Sequence, residues 1–136
     1  MNLSTTVTDN MTEVLTRIVE FTERRRDVLT RNLFDYRERD FRPLDLPVNE
    51  FAECMTEAVC EHVRSQRLLL CDRQHVQFGC DGRFDALAEV DAEAEQVLQT
   101  DIKRYLQMQI RKLSENLMNN RIAVELLKQK QQQSAL

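Results

Sequence analysis

Apolar residues recur at three- and four-residue steps at both ends of the chain. From Met11 the positions Val14, Leu15, Ile18, Phe21, Val28 and Leu29 keep that spacing to about Leu33. Toward the C-terminus Ile102, Leu106, Ile110, Leu113, Leu117, Val124 and Leu127 repeat it, with Asn120 in the same row. Side chains so spaced lie along one face of a helix. The remaining faces of the second run carry Lys103, Arg104, Gln107, Arg111, Lys112, Glu115, Arg121, Glu125 and Lys128, good helix formers that stay in water. The pattern predicts a helix over residues 11–33 and a long helix over residues 85–130, whose start lies near Asp85, Asp91 or Thr100. An exposed row of Leu and Ile would forfeit roughly 1.5 to 3 kcal/mol per side chain, so each stripe needs a partner. The expected fold is all-α, with the terminal helices packed as an antiparallel pair. Packing of each stripe on another copy satisfies the same pattern.

Between the two runs the pattern changes. Residues 1–10 are polar and rich in Ser and Thr, which predicts a flexible lead-in, with Thr8, Asp9 or Asn10 capping the helix that follows. Residues 34–48 mix Phe34, Tyr36 and Phe41 with charges and two prolines, which predicts an extended connector anchored by its aromatics. A shorter central helix is expected over residues 49–66, capped by Asn49, with Phe51, Met55, Ala58, Val59, His62 and Val63 on one face. Residues 67–84 form an irregular insert: Leu68 to Leu70 fit helix or strand, while Val76 and Phe78 alternate with polar neighbours ahead of Gly79-Cys80-Asp81-Gly82, the pattern of a small hairpin. Arg25 falls where the first stripe expects an apolar residue and reads as a solvated turn whose aliphatic stem covers apolar surface.

Composition narrows the class. The 136 residues suit one domain, and only two Gly and two Pro argue for few, long helices rather than a sheet with many turns. A net charge of −4 with interspersed signs, and no basic stripe with interleaved aromatics, disfavours nucleic acid as a partner. No apolar run approaches the roughly 18 residues of a membrane span. The polar N-terminus has no secretory leader pattern, so synthesis in the cytosol is expected, with export open only by a route that needs no cleaved signal.

Candidate chemistry is confined to Cys54, Cys60, His62, Cys71, His75 and Cys80, all in the central stretch. Thiolates and imidazoles both suit zinc. The spacings are Cys-x5-Cys-x-His and Cys-x3-His-x4-Cys, and neither contains the Cys-x2-Cys of a zinc knuckle, so separate reduced thiols are the expectation. The sequence lacks a nucleophile elbow and a phosphate loop, which leaves an enzyme, a cofactor or a small-molecule substrate without a signal. The candidate functional surface is therefore an interaction seam: Met11, Val14, Ile18, Phe21 and Val28 on one helix, and Ile102, Leu106, Ile110, Leu113, Leu117, Asn120, Val124 and Leu127 on the other. Asn120 fits a single polar residue that fixes helix register, or one member of an exposed cluster with Asn116 and Asn119.

Two stretches resemble the proximal rod proteins of the bacterial flagellar basal body, the B-type above all. The first is Val28-Leu29-Thr30-Arg31-Asn32-Leu33 followed by Tyr36-Arg37-Glu38-Arg39-Asp40-Phe41 and the helix from Asn49 through Phe51, Met55 and Ala58. The second is Ile110-Arg111-Lys112-Leu113-Ser114-Glu115-Asn116 with Leu126-Leu127-Lys128 beyond it. Together they cover about half the chain. The family's Ala-Asn-x-x-Thr-Pro-Gly turn is missing, since only Phe34-Asp35 separates Leu33 from Tyr36. Met118-Asn119-Asn120-Arg121 stands where the family has Gln-x-Arg-Tyr-Gln. The resemblance implies a non-enzymatic building block of the basal-body rod, exported by the flagellar type III apparatus, whose partners are itself, other rod subunits and that apparatus. A cytosolic helical adaptor or chaperone that holds a partner's helix is the alternative on the same residues.

Overall fold

Thr22 and Asn32 on the first long helix face Asn116 and Gln109 on the last, so the two ends of the chain run antiparallel. The computed structural model describes residues 3–79 and 84–135. In order these form α1 (Leu3–Phe34), β1 (Leu44–Asp45), α2 (Val48–Ser65), β2 (Val76–Phe78), β3 (Phe84–Ala86), β4 (Glu89–Val90), α3 (Ala92–Thr100) and α4 (Ile102–Ala135). The molecule is predominantly helical, and short strands occupy the connector and the insert.

Helix α1 begins at Leu3, so most of the expected flexible lead-in is helical and Thr8, Asp9 and Asn10 lie inside the helix rather than capping it. Asn10 shows what holds it there. Its buried side chain donates from Nδ2 to the carbonyl of Gln66 at 2.9 Å, at the C-terminal end of α2. Gln66 ends α2 in the left-handed region at φ 56°, with its N–H on the carbonyl of His62. At the other end of α2 the cap is Pro47, without a side-chain hydrogen bond, and not Asn49. Proline fixes φ near the value needed to enter a helix, so the turn forms without a polar cap.

The main core joins α1, α2 and the β2–β3 hairpin. Phe21 stacks on Phe51 with centroids 4.0 Å apart, and Phe84 meets both rings edge-on. Val14, Met55, Ala58 and Val76 fill the space around them. Burial of such side chains, roughly 1.5 to 3 kcal/mol each, is what fixes α2 and the hairpin on α1. The expected hairpin forms with Val76 opposite Ala86 and Phe78 opposite Phe84, while the expected turn at Cys80 to Gly82 lies outside the described residues. Leu68 and Leu69 are exposed irregular chain. In the connector, Phe34 is 79% exposed and anchors nothing, whereas Tyr36 and Phe41 pack beside Tyr105.

The long helix expected over residues 85–130 is interrupted. Strand β4 pairs with β1, Asp91 then caps α3 through the N–H of Ala94 at 3.1 Å, and Asp101 breaks the chain again. Asp101 is extended, and its carboxylate accepts the N–H of Arg104 at 3.1 Å, which opens α4. An aspartate that can bond a backbone N–H three residues on competes with helix continuation, and here it wins twice.

The α1–α4 seam is also displaced from the predicted one. Tyr105, Gln109, Asn116 and Ala123 are buried, each one residue before a predicted seam position, while Ile102, Ile110 and Leu117 are more than half exposed. One residue is a rotation of roughly 100° about the helix axis. The physical reason is hydrogen bonding. Asn116 Nδ2 donates to the carbonyl of Thr22 at 2.7 Å, and Asn120 Nδ2 donates to the Thr22 hydroxyl at 2.8 Å. Tyr105 donates to the carbonyl of Asn32 at 2.8 Å, and burial pushes its phenol up to about 12. Small Ala123 completes a polar, close-fitting seam, and Leu106, Leu113, Val124 and Leu127 are left at its half-buried edge.

Candidate functional site

Among the concave regions that flank this frame, two differ sharply in chemistry. The first is a polar cleft of about 450 Å³ between the N-terminus of α2, the β1–β4 pair and α4. Arg25 lies at its back and is buried, contrary to the solvated turn expected of it. It donates from Nε and Nη2 to the two carboxylate oxygens of Asp45 at 2.9 and 3.1 Å. Lys112 Nζ lies 2.5 Å from Asp91 and 3.5 Å from Asp45, so the two cations and two carboxylates close into one chain of ion pairs. Such a network needs both partners: removing one leaves the other charged and unpaired in a poorly solvated place.

At the mouth of the cleft His75 stands between Glu50 and Glu89. Its Nδ1 is 2.6 Å from Glu50 and its Nε2 is 2.5 Å from Glu89. The hydrogen bond to Glu50, aided by the charge of Glu89, holds the imidazole above its ordinary 6.5. Partial desolvation would raise Glu50, but its bonds to His75 outweigh this and leave it below the usual carboxylate value. Both ring nitrogens are occupied by carboxylates, which leaves neither turned to take a proton from a substrate. No hydroxyl or thiol lines the cleft among the described residues.

The second region is an apolar groove of about 380 Å³. Leu15, Ile18 and Phe21 of α1 make its floor, Val48, Phe51 and Met55 of α2 one wall, and Ile122, Ala123 and Leu126 of α4 the other. It arises because α2 and α4 each pack on α1 and stand apart from one another. Ile122 and Leu126 are 54% and 42% exposed on its rim, and Met118 beside them is 64% exposed. A smaller hollow of about 210 Å³ lies on the opposite side of α4, between Thr30 of α1 and Leu113 and Leu117. Exposed apolar side chains therefore run along both flanks of α4.

The predicted seam residues divide accordingly. Val14 and Phe21 are in the main core, with Met11, Ile18 and Val28 half-buried on α1. Ile110 and Leu117 face outward and are open to contact, as is Ile102. Asn120 reaches Thr22, and the more deeply buried polar residue of the seam is Asn116. Ile122 and Leu126 on the groove rim, with Met118 beside them, lie outside the predicted seam, and their four-residue spacing is the sequence signal for them.

The candidate ligand set does not come together. Cys54 is buried, donates to the carbonyl of Cys71 at 3.3 Å, and has its thiol pushed up by burial. Cys60 is exposed on another face of α2, His62 is buried with Nδ1 unpartnered among the described residues, His75 stands between Glu50 and Glu89, and Cys80 lies outside the described residues. Among the described residues no group of three His, Cys, Asp or Glu side chains is placed to hold a metal ion. No helix among them is long and apolar enough to cross a membrane. Compared with protein-family models, with curated proteins and with solved structures, the chain finds no match.

Proposed function

We propose that this protein is a non-enzymatic assembly subunit: the α1–α4 pair is a preformed scaffold, and the apolar groove between α2 and α4 receives an amphipathic helix of a neighbouring subunit. The observation that carries this reading is the apolar surface left on α4. Tyr105, Asn116 and Asn120 on its inward side are already hydrogen-bonded to α1, while Ile122 and Leu126 remain exposed on the groove and Met118 is exposed beside them. Helices with apolar side chains at three- and four-residue steps seat in grooves of this kind. The polar cleft supports the non-enzymatic part, because its charged groups are engaged with one another.

In its specific form the proposal makes the chain a building block of the flagellar basal-body rod, with self, other rod subunits and the export apparatus as partners. What supports it is the likeness of the two stretches together with their meeting in space, where Asn32 of the first bonds Gln109, one residue before the second. A tagged chain tests this form by fractionation. A rod subunit is found in basal bodies or the medium, and a cytosolic adaptor stays in the cytosol. Recovery only in the cytosol overturns the rod form and leaves the adaptor form of the same groove.

A further inference from the structure

We propose that His75 is a proton-operated clasp that joins Glu50 of α2 to Glu89 of β4 only while its imidazole carries two protons, and frees β4 when it loses one. The argument is stereochemical. Nδ1 is hydrogen-bonded to Glu50 Oε2 at 2.6 Å and Nε2 is in an ion-pair contact with Glu89 Oε1 at 2.5 Å, so each ring nitrogen lies against a carboxylate oxygen, which accepts and does not donate. A neutral imidazole has one N–H and one lone pair. Deprotonation therefore sets a lone pair against a carboxylate at hydrogen-bond distance, and one of the two contacts must open.

Among the described residues Glu50 has a second hold and the Glu89 carboxylate does not. The Glu50 carboxylate also accepts the backbone N–H of His75 at 3.2 Å, a bond that survives loss of the ring proton. Glu89 is more than half exposed on a strand of two residues. The other charged groups facing the cleft cannot take the place of the imidazolium. Arg25 of α1 is held by Asp45 of β1, and Lys112 of α4 is held by Asp91 and Asp45. The Glu89 contact is the one that opens.

The moving part is small. Strand β4 pairs with β1 through Leu44–Val90 and Asp45–Glu89, and the N–H of Asp91 bonds the carbonyl of Pro43 at 2.9 Å. Releasing Glu89 loosens this strap over the polar cleft and leaves the α1–α4 seam untouched. The pH window follows from the directions of the shifts. The raised His75 contributes fully below 6.5, and that contribution is lost as pH rises through its elevated value. The lowered Glu50 contributes fully above 4.5, and that contribution is lost as pH falls through its depressed value.

The test is an NMR titration of the two histidines of the intact chain, with His75 assigned from the spectrum of His75→Gln. The expected result is a His75 midpoint above 6.5, protons on both ring nitrogens below it, and a lower midpoint in Glu89→Gln. Amide exchange, corrected for its intrinsic rise with pH, loses protection at Glu89 to Asp91 through the same midpoint while Leu29 to Asn32 stay protected. If His75→Gln fails to fold, Glu89→Gln carries the test alone. A His75 midpoint at or below the ordinary value, or a β4 whose corrected exchange does not change with pH, overturns the clasp.

Discussion

The Nδ2 of Asn32 lies 3.0 Å from the Oε1 of Gln109, a side-chain pair buried at the end of the α1–α4 seam and separated by 77 residues of chain. Asn32 also donates to the carbonyl of Leu44 at 2.7 Å and accepts the N–H of Leu44 at 3.1 Å, so one side chain fastens α1, β1 and α4. Asn32→Ala is expected to cost about 2–3 kcal/mol, because it strands buried backbone and amide groups without partners. Urea unfolding of the variant measures this. A double-mutant cycle with Gln109→Ala should return a coupling on the order of 1 kcal/mol.

The buried Arg25–Asp45 pair predicts an asymmetry. Arg25→Ala removes the bidentate partner and leaves the Asp45 carboxylate with Lys112 at 3.5 Å and the N–H of Leu46 at 2.8 Å, and should destabilise by about 2–3 kcal/mol. Arg42→Ala breaks a pair of similar geometry with Glu95, at 2.6 and 3.1 Å, but on exposed Arg42, where solvent screens the charges, and should cost much less than Arg25→Ala. Equal losses in the two variants, measured by denaturant midpoints, would show that burial of Arg25 has no energetic consequence.

Thiol chemistry follows exposure. Cys60 is exposed and Cys54 is buried with its thiol pushed up, so an aromatic disulfide reagent should modify Cys60 ahead of Cys54. Cys54 should react roughly a hundredfold more slowly or less, at the rate of local opening. The Cys60→Ser variant should lose one thiol equivalent from the fast phase and keep the slow reaction of Cys54. Comparable rates at both positions would contradict the packing of α2 on α1.

Much of the frame was legible in the pattern of apolar positions: the two terminal helices, the central helix, and the hairpin at Val76 and Phe78. Rotation of α4 was not, because periodicity places apolar residues on a common face without saying that the neighbour wants hydrogen bonds. Thr22 presents a carbonyl and a hydroxyl to α4, and only the polar row containing Asn116 and Asn120 can answer them. The breaks at Asp91 and Asp101 fall at or beside two of the three starts open for the long helix, Asp91 and Thr100, and helix-compatible neighbours on both sides kept the sequence from choosing among them. The burial of Arg25 was illegible, since its partner Asp45 is 20 residues away in the connector. The clasp at His75 was equally hidden, as it joins Glu50, His75 and Glu89 from three elements.

The groove makes its own demand on the rest of the surface. A helix seated between α2 and α4 covers Ile122 and Leu126, so substituting them should abolish association and spare the fold, because both side chains are exposed in the single chain. Substituting buried Ala123 by Leu should instead push α4 off α1 and cost about 1–3 kcal/mol through overpacking. Thermal melts of the two variants separate an interface residue from a seam residue.

Sedimentation velocity over a concentration series, on the wild type and on Ile122→Asp/Leu126→Asp, tests the assembly account most directly. The account predicts that the wild type shifts to larger species as concentration rises, and that the variant remains a monomer with unchanged helix content and melting temperature. A wild type that stays one monomeric species throughout, or a variant that associates as the wild type does, contradicts it.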